Sequence, residues 1–256
     1  MILKKMIFPA IAGFALTLGC ANAAVITGGS ALLTHDNVEQ LGDWLGQGVD
    51  LTNVYTKHAG NTSQDFHNAV DGKGATFVVM QVRNEDSGAT GLIGGYNPQS
   101  WNSSSGYSMS TDVSDRSAFL FNLDTNAVFR QRTDRITYTS YYYDGWYGYQ
   151  SYTYTQDNGQ YQTYNSAGYG PTFGGGHDLY IDSNLNTGYS NLYSYAASTS
   201  SNLLGQNYYW SNWFTVSGFE VFTFAPERND VPEPASLALF AIALGGLAAA
   251  RRKYAA

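Results

Sequence analysis

Apolar and polar positions along the chain follow two rhythms. Val38, Leu41, Trp44 and Leu45 recur at helical spacing; Asp36 is placed to cap that segment, and Gly46 and Gly48 end it. Phe66, Ala69 and Val70 predict a second short helix that starts at Thr62 or Ser63. Asp71-Gly72 then turns the chain into Ala75-Thr76-Phe77-Val78-Val79-Met80-Gln81-Val82, apolar enough to be a central strand covered on both faces. Further strands are predicted at 90–95, 118–123, 128–132, 178–182 and 213–224, the last interrupted by Gly218. Short strands with few helices predict a mainly β protein, an antiparallel β-sandwich, because a parallel sheet would need a helix between successive strands.

Residues 138–169 break this rhythm, with about a third of their positions tyrosine. Tyr152-Thr153-Tyr154-Thr155 and Tyr161-Gln162-Thr163-Tyr164 flank Asp157-Asn158-Gly159, and Asn-Gly is a strong turn signal. The expectation is a hairpin or loop inserted between core strands and turning at Asn158-Gly159. Tyr152 and Tyr154 would share one strand face, where they could stack on sugar rings.

The two ends of the chain read as addresses. Lys4 and Lys5 precede an apolar run from Met6 to Leu18 and then Ala21-Asn22-Ala23, the order of a cleaved secretory signal over residues 1–23. Cleavage there removes Cys20, leaving no cysteine for a disulfide. At the other end, Val231-Pro232-Glu233-Pro234 stops any regular structure. An uncharged stretch, 235–250, follows, and Arg251, Arg252 and Lys253 close it on the cytoplasmic side. This layout resembles the PEP-CTERM sorting signal of bacterial exported proteins. The resemblance implies processing by an exosortase near Pro-Glu-Pro, after transient membrane insertion, and a final place in the envelope or outside the cell. The chain then divides into a signal (1–23), a lead-in with a short helix (24–50), a main domain (51–226) and a sorting segment (227–256).

The net charge of −7 includes the five basic residues Lys4, Lys5, Arg251, Arg252 and Lys253 of the two signals, so the remainder is more acidic still. With no clustered lysine or arginine, nucleic acid is not an expected partner.

Within the main domain, ordered blocks carry a second resemblance. They are Leu51–Tyr55, Asp65-Phe66-His67, Gly72–Val78, Gly94-Gly95-Tyr96 with Trp101, Ala118–Leu123, Phe173–Gly176 with Leu179–Asp182, and Phe219–Phe222. Together they resemble a TLDc domain. That implies a sandwich of antiparallel sheets with short flanking helices and no known catalytic residues. Eukaryotic members are linked to oxidative-stress resistance and to the vacuolar ATPase; neither role fits an exported chain easily.

The chemical candidates are few. Phe173-Gly174-Gly175-Gly176-His177-Asp178 is followed by a strand pattern rather than a helix and lacks a following Lys-Ser/Thr, which argues against a phosphate loop. The four histidines, His35, His58, His67 and His177, show no paired metal-ligand spacing, and turn or surface roles are expected for them. Asp182–Gly188 resembles the start of a calcium loop, but the glycine comes one position late and Tyr193 stands where a bidentate Glu belongs. Asp65, Asp71, Asp178, Asp182 and Glu220 are expected as caps, turns or surface positions. His177 and Asp182, with Tyr152 and Tyr154, remain the candidate ligand contacts, and no cofactor is expected. The reading is a non-enzymatic surface or matrix interaction module whose partners are an exosortase and exopolysaccharide or another envelope protein. Its rivals are a glycan-active or glycan-binding protein and a protein protecting against oxidative stress.

Overall fold

The computed structural model describes residues 24–195, 202–206 and 212–224. The signal segment and the sorting segment, with Val231, Pro232, Glu233, Pro234, Arg251 and Arg252, lie outside these residues. In chain order come β1 (Ile26–Thr27), α1 (His35–Leu45), β2 (Leu51–Thr56), α2 (Ser63–Val70), β3 (Thr76–Arg83), β4 (Thr90–Asn97) and β5 (Gly106–Met109). Next are β6 (Phe119–Asn122), β7 (Ala127–Arg130), β8 (Ile136–Asp144), β9 (Gly148–Gln156) and β10 (Tyr161–Asn165). The last three are β11 (Tyr180–Ile181), β12 (Thr187–Tyr189) and β13 (Trp213–Phe224).

The main sheet runs β1-β2-β13-β3-β4-β6-β7, and β12 and then β11 extend it alongside the start of β13. All its pairings are antiparallel except β1–β2. As the apolar run predicts, β3 is buried on both faces. Val78, Met80 and Val82 enter one core with Ile93, Leu120 and Val221; Phe77 and Val79 enter another with Phe119, Phe121 and Phe222.

Each core has its own helix. Helix α2 delivers Phe66 and Val70 to the first, and α1 delivers Val38 and Leu41 to the second. The cap of α1 is Thr34, not Asp36: the Thr34 hydroxyl accepts the Asn37 N–H at 3.2 Å, and the Asn37 carbonyl oxygen accepts the Thr34 N–H at 3.0 Å. Asp36 instead lies in the first turn, and left-handed Gly46 ends the helix.

A second layer covers the first core and makes the architecture a sandwich. It contains the small antiparallel sheet β5–β10, continued through bridges from Thr163 to Phe173 and from Phe173 to Leu179. Gly95 in β4 leaves room for the Phe173 ring, which a β-carbon there would overlap. Trp101, packed edge-on to Phe173, donates its indole N–H to Thr76 Oγ1 at 2.9 Å.

The tyrosine-rich stretch differs from expectation in where it turns. Strand β8 pairs with β9, and the chain reverses at Asp144-Gly145-Trp146-Tyr147-Gly148, with Gly148 in the left-handed region. Asn158-Gly159 is buried instead, in a single turn of 3-10 helix between β9 and β10. Gly159 is needed there because a side chain would strike the Arg132 carbonyl.

Candidate functional site

Phe173–Asp182 forms a structural knot. Gly174 and His177 both take positive φ, and no helix follows the glycines, so the backbone offers no phosphate cradle. Asp178, expected at a surface or turn, is wholly buried. Its Oδ2 accepts the successive N–H groups of Tyr193, Ser194 (2.7 Å) and Tyr195 (3.0 Å), which ties residues 193–195 to the glycine turn. Its Oδ1 has no hydrogen-bond partner. Burial pushes the carboxyl up to about 7, outweighing the three backbone donors that pull it down. His177 faces the other way: its ring stacks on Tyr180 at 5.5 Å and borders Tyr164 and Tyr169. Partial burial lowers its pKa.

Asp182 organises the tight turn between β11 and β12. Its carboxylate accepts the Ser183 N–H at 2.6 Å, the Asn184 amide at 3.3 Å and the Thr187 hydroxyl at 3.4 Å. Leu185 adopts a positive φ in that turn, and Asn184 Oδ1 accepts the Asn186 N–H. These oxygens serve an Asx-type turn. Among the described residues no three His, Cys, Asp or Glu side chains gather as a metal site would require.

Sequence reasoning missed a His–Asp–Ser chain. His67 is buried rather than at the surface; its Nδ1 lies 2.7 Å from Asp71 Oδ1, and its Nε2 lies 2.9 Å from the Ser166 carbonyl oxygen. Ser103 Oγ donates to Asp71 Oδ2 at 2.6 Å. The serine therefore meets the carboxylate rather than the imidazole, and both imidazole nitrogens are engaged. The arrangement fastens α2 to the 166–169 loop and to the Ser103 loop. A His and Asp four apart on a helix was the signal that could have found it.

Among the described residues, most of the exposed large aromatic side chains are on the β8–β9 hairpin. Tyr138 and Tyr154 lie opposite each other and stack at 5.5 Å; Tyr154 stacks on Tyr152 at 5.9 Å, and Tyr142 lies 6.2 Å from Tyr152. These four rings share one face of the ribbon, as strand alternation requires. Tyr141, Tyr143 and Tyr149 occupy the opposite face, and Trp146 and Tyr147 stand at the tip, Trp146 with 94% of its surface exposed. Both Tyr152 and Tyr154 are exposed on that face.

The root of the hairpin, by contrast, is fixed. Arg116 is buried and bonds Asp157 Oδ2 at 2.6 Å and the Arg132 carbonyl at 2.5 Å. Gln131 Nε2 donates to the Gly159 carbonyl at 2.9 Å, and Asn158 Nδ2 donates to the Tyr138 hydroxyl at 2.8 Å. The phenol of Tyr193, a neighbour of Tyr138, is pushed up to about 12, chiefly by burial and then by the Tyr138 phenol.

Comparison with known families gives two matches. The TLDc domain model matches residues 26–225, and the model of the PEP-CTERM protein-sorting motif matches residues 230–253. No curated protein matches the chain.

Proposed function

Because the chain belongs to the TLDc domain family and ends in an exosortase sorting motif, we propose that it is a non-catalytic interaction module shown at the cell envelope, with the β8–β9 hairpin as its contact element. The motif accounts for export, envelope sorting and exosortase processing. The contact reading rests on one observation above all: aromatic side chains cover both faces and the tip of a ribbon with a fixed root. A soluble domain rarely exposes so much contiguous aromatic surface without a partner for it. The polar groups that resemble catalytic sites support the non-catalytic half of the reading. Asp178 is sealed from solvent and has its three donors supplied by the backbone; His67 has both nitrogens engaged.

A second reading draws on the ladder of Tyr138, Tyr154, Tyr152 and Tyr142, whose row of ring faces suits the apolar faces of a glycan chain. The test compares three forms of the chain in cell fractionation and in binding to isolated envelope and polysaccharide. The wild type is expected in the envelope fraction. A chain stopped before Val231 is expected to lose that location, and a form with 137–155 replaced by Gly-Gly is expected to reach the envelope but lose binding. Unchanged binding after hairpin removal would refute the contact role.

A further inference from the structure

The β8–β9 hairpin has two bare edges. It is a sheet of only two strands, each of nine residues, paired without a bulge from Ile136↔Gln156 to Asp144↔Gly148. Among the described residues, no backbone group from 136 to 156 bonds to any other element. Each strand therefore presents a row of unpaired N–H and C=O groups along its outer side.

Such edges are normally blunted, and those of the main sheet are. At one end β1 has two residues; at the other β7 has four, including Arg130, which donates to the Trp44 carbonyl at 2.6 Å. None of the usual guards occurs on the hairpin. Between Ile136 and Gln156 there is no proline, lysine or arginine. The one charge, Asp144, is turned inward on the loop, where it accepts the N–H groups of Trp146 at 2.8 Å and Tyr147 at 3.2 Å. Long, without a bulge, almost uncharged and rich in Tyr and Thr, this ribbon has the makeup of a strand that recruits another strand. A lone two-stranded hairpin is also marginally stable, so added strands would reinforce it.

We infer that the hairpin is a homotypic docking edge, which pairs strand to strand with the hairpin of a second copy of this chain. The inference rests on the reading of the hairpin as the contact element and names its partner. Charge favours a second copy here. The chain as a whole carries −7, yet this ribbon presents almost none of it, so two copies meet where their mutual repulsion is weakest. A β8-to-β8 or β9-to-β9 pairing related by a twofold axis sets like residues antiparallel and extends the tyrosine ladder across the junction. One such pairing makes a four-stranded sheet and still leaves two free edges. Assembly is therefore open-ended: dimers first, then ribbons as concentration rises.

Sedimentation velocity of the full chain, held in a mild detergent that shields its C-terminal segment, tests this over a hundredfold range of concentration. Wild type should shift from monomer to dimer to larger species, with slowed amide exchange across 136–156. Thr137→Lys/Ser151→Lys puts one guard on each strand at well-separated positions and leaves the tyrosines in place; association should weaken at least tenfold with the core's Tm unchanged. Tyr152→Ser/Tyr154→Ser keeps the edges and should still associate. A wild type that stays monomeric throughout, or a lysine variant that associates as well as wild type, would overturn the inference. A monomeric wild type that binds polysaccharide through the hairpin would overturn it too, while leaving the contact role intact. Association lost only in the tyrosine variant would assign the contact to ring faces rather than backbone edges, against the proposal.

Discussion

The carboxylate of Asp178 occupies the space that a β-carbon on Gly174 would need, so the glycine and the buried acid depend on each other. Half of this pairing was legible: three glycines before a strand pattern point to special backbone geometry, and Gly174 has φ +80°. Its other half was not. Nothing local tells a buried aspartate from a surface one, because the donors to Asp178 come from Tyr193, Ser194 and Tyr195, fifteen and more residues away. The burial has a consequence for pH. Folded, Asp178 holds its proton up to about 7; unfolded, it releases it near the ordinary 3.8. Between those values unfolding releases a proton, so this group's contribution to stability falls as pH rises from about 4 to about 7 and then levels off. Asp178→Asn cannot ionise and should flatten that slope. Urea midpoints at pH 5 and pH 8 check this: the drop seen in wild type should shrink in the variant.

Among the elements, those with a strong period were readable and those defined by long-range pairing were not. Phe77–Val82 and Phe219–Phe224 announce themselves by apolar content, and both sit at the centre of the sheet. Strand β5 is half exposed and exists because Gly106–Met109 pairs with Tyr161–Asn165 more than fifty residues later, which no local pattern encodes. The hairpin shows how a strong dipeptide signal can mislead. Asn158-Gly159 is a good turn in isolation, but the packing of Gln131, Arg132 and Arg116 around it fixes it as the root. The turn is the three-residue loop Gly145-Trp146-Tyr147, closed by Gly148 at φ +76°. Gly148→Val puts a β-branched residue into that conformation at a cost of about 1–3 kcal/mol. For a ribbon with so little stability of its own, amide exchange across 136–156 should speed up at least tenfold while exchange in β3 and β13 is unaltered.

Across the whole molecule, the hairpin is separable from the two cores. Its ends meet as a paired couple, Ile136 and Gln156, so a two-residue bridge can close the gap. None of its residues belongs to either buried cluster. Replacing 137–155 with Gly-Gly removes the hydrogen bond from Asn158 to the Tyr138 hydroxyl, worth about 1 kcal/mol, together with the packing of Tyr138 at the root, and should lower Tm by no more than about 8 °C. Thermal unfolding followed by near-UV circular dichroism measures it; a fall of 15 °C or more would mean that the ribbon is part of the folding unit. The order of the main sheet carries a different lesson. Strand β13, the last before the sorting segment, lies between β2 and β3 and forms part of both cores. A chain passing through a membrane from its N-terminus therefore cannot complete its sheet until residue 224 has emerged. Only five residues then separate Phe224 from the start of the motif at 230. The topology therefore leaves an exported chain with an incomplete sheet until nearly all of it up to the sorting motif has been delivered.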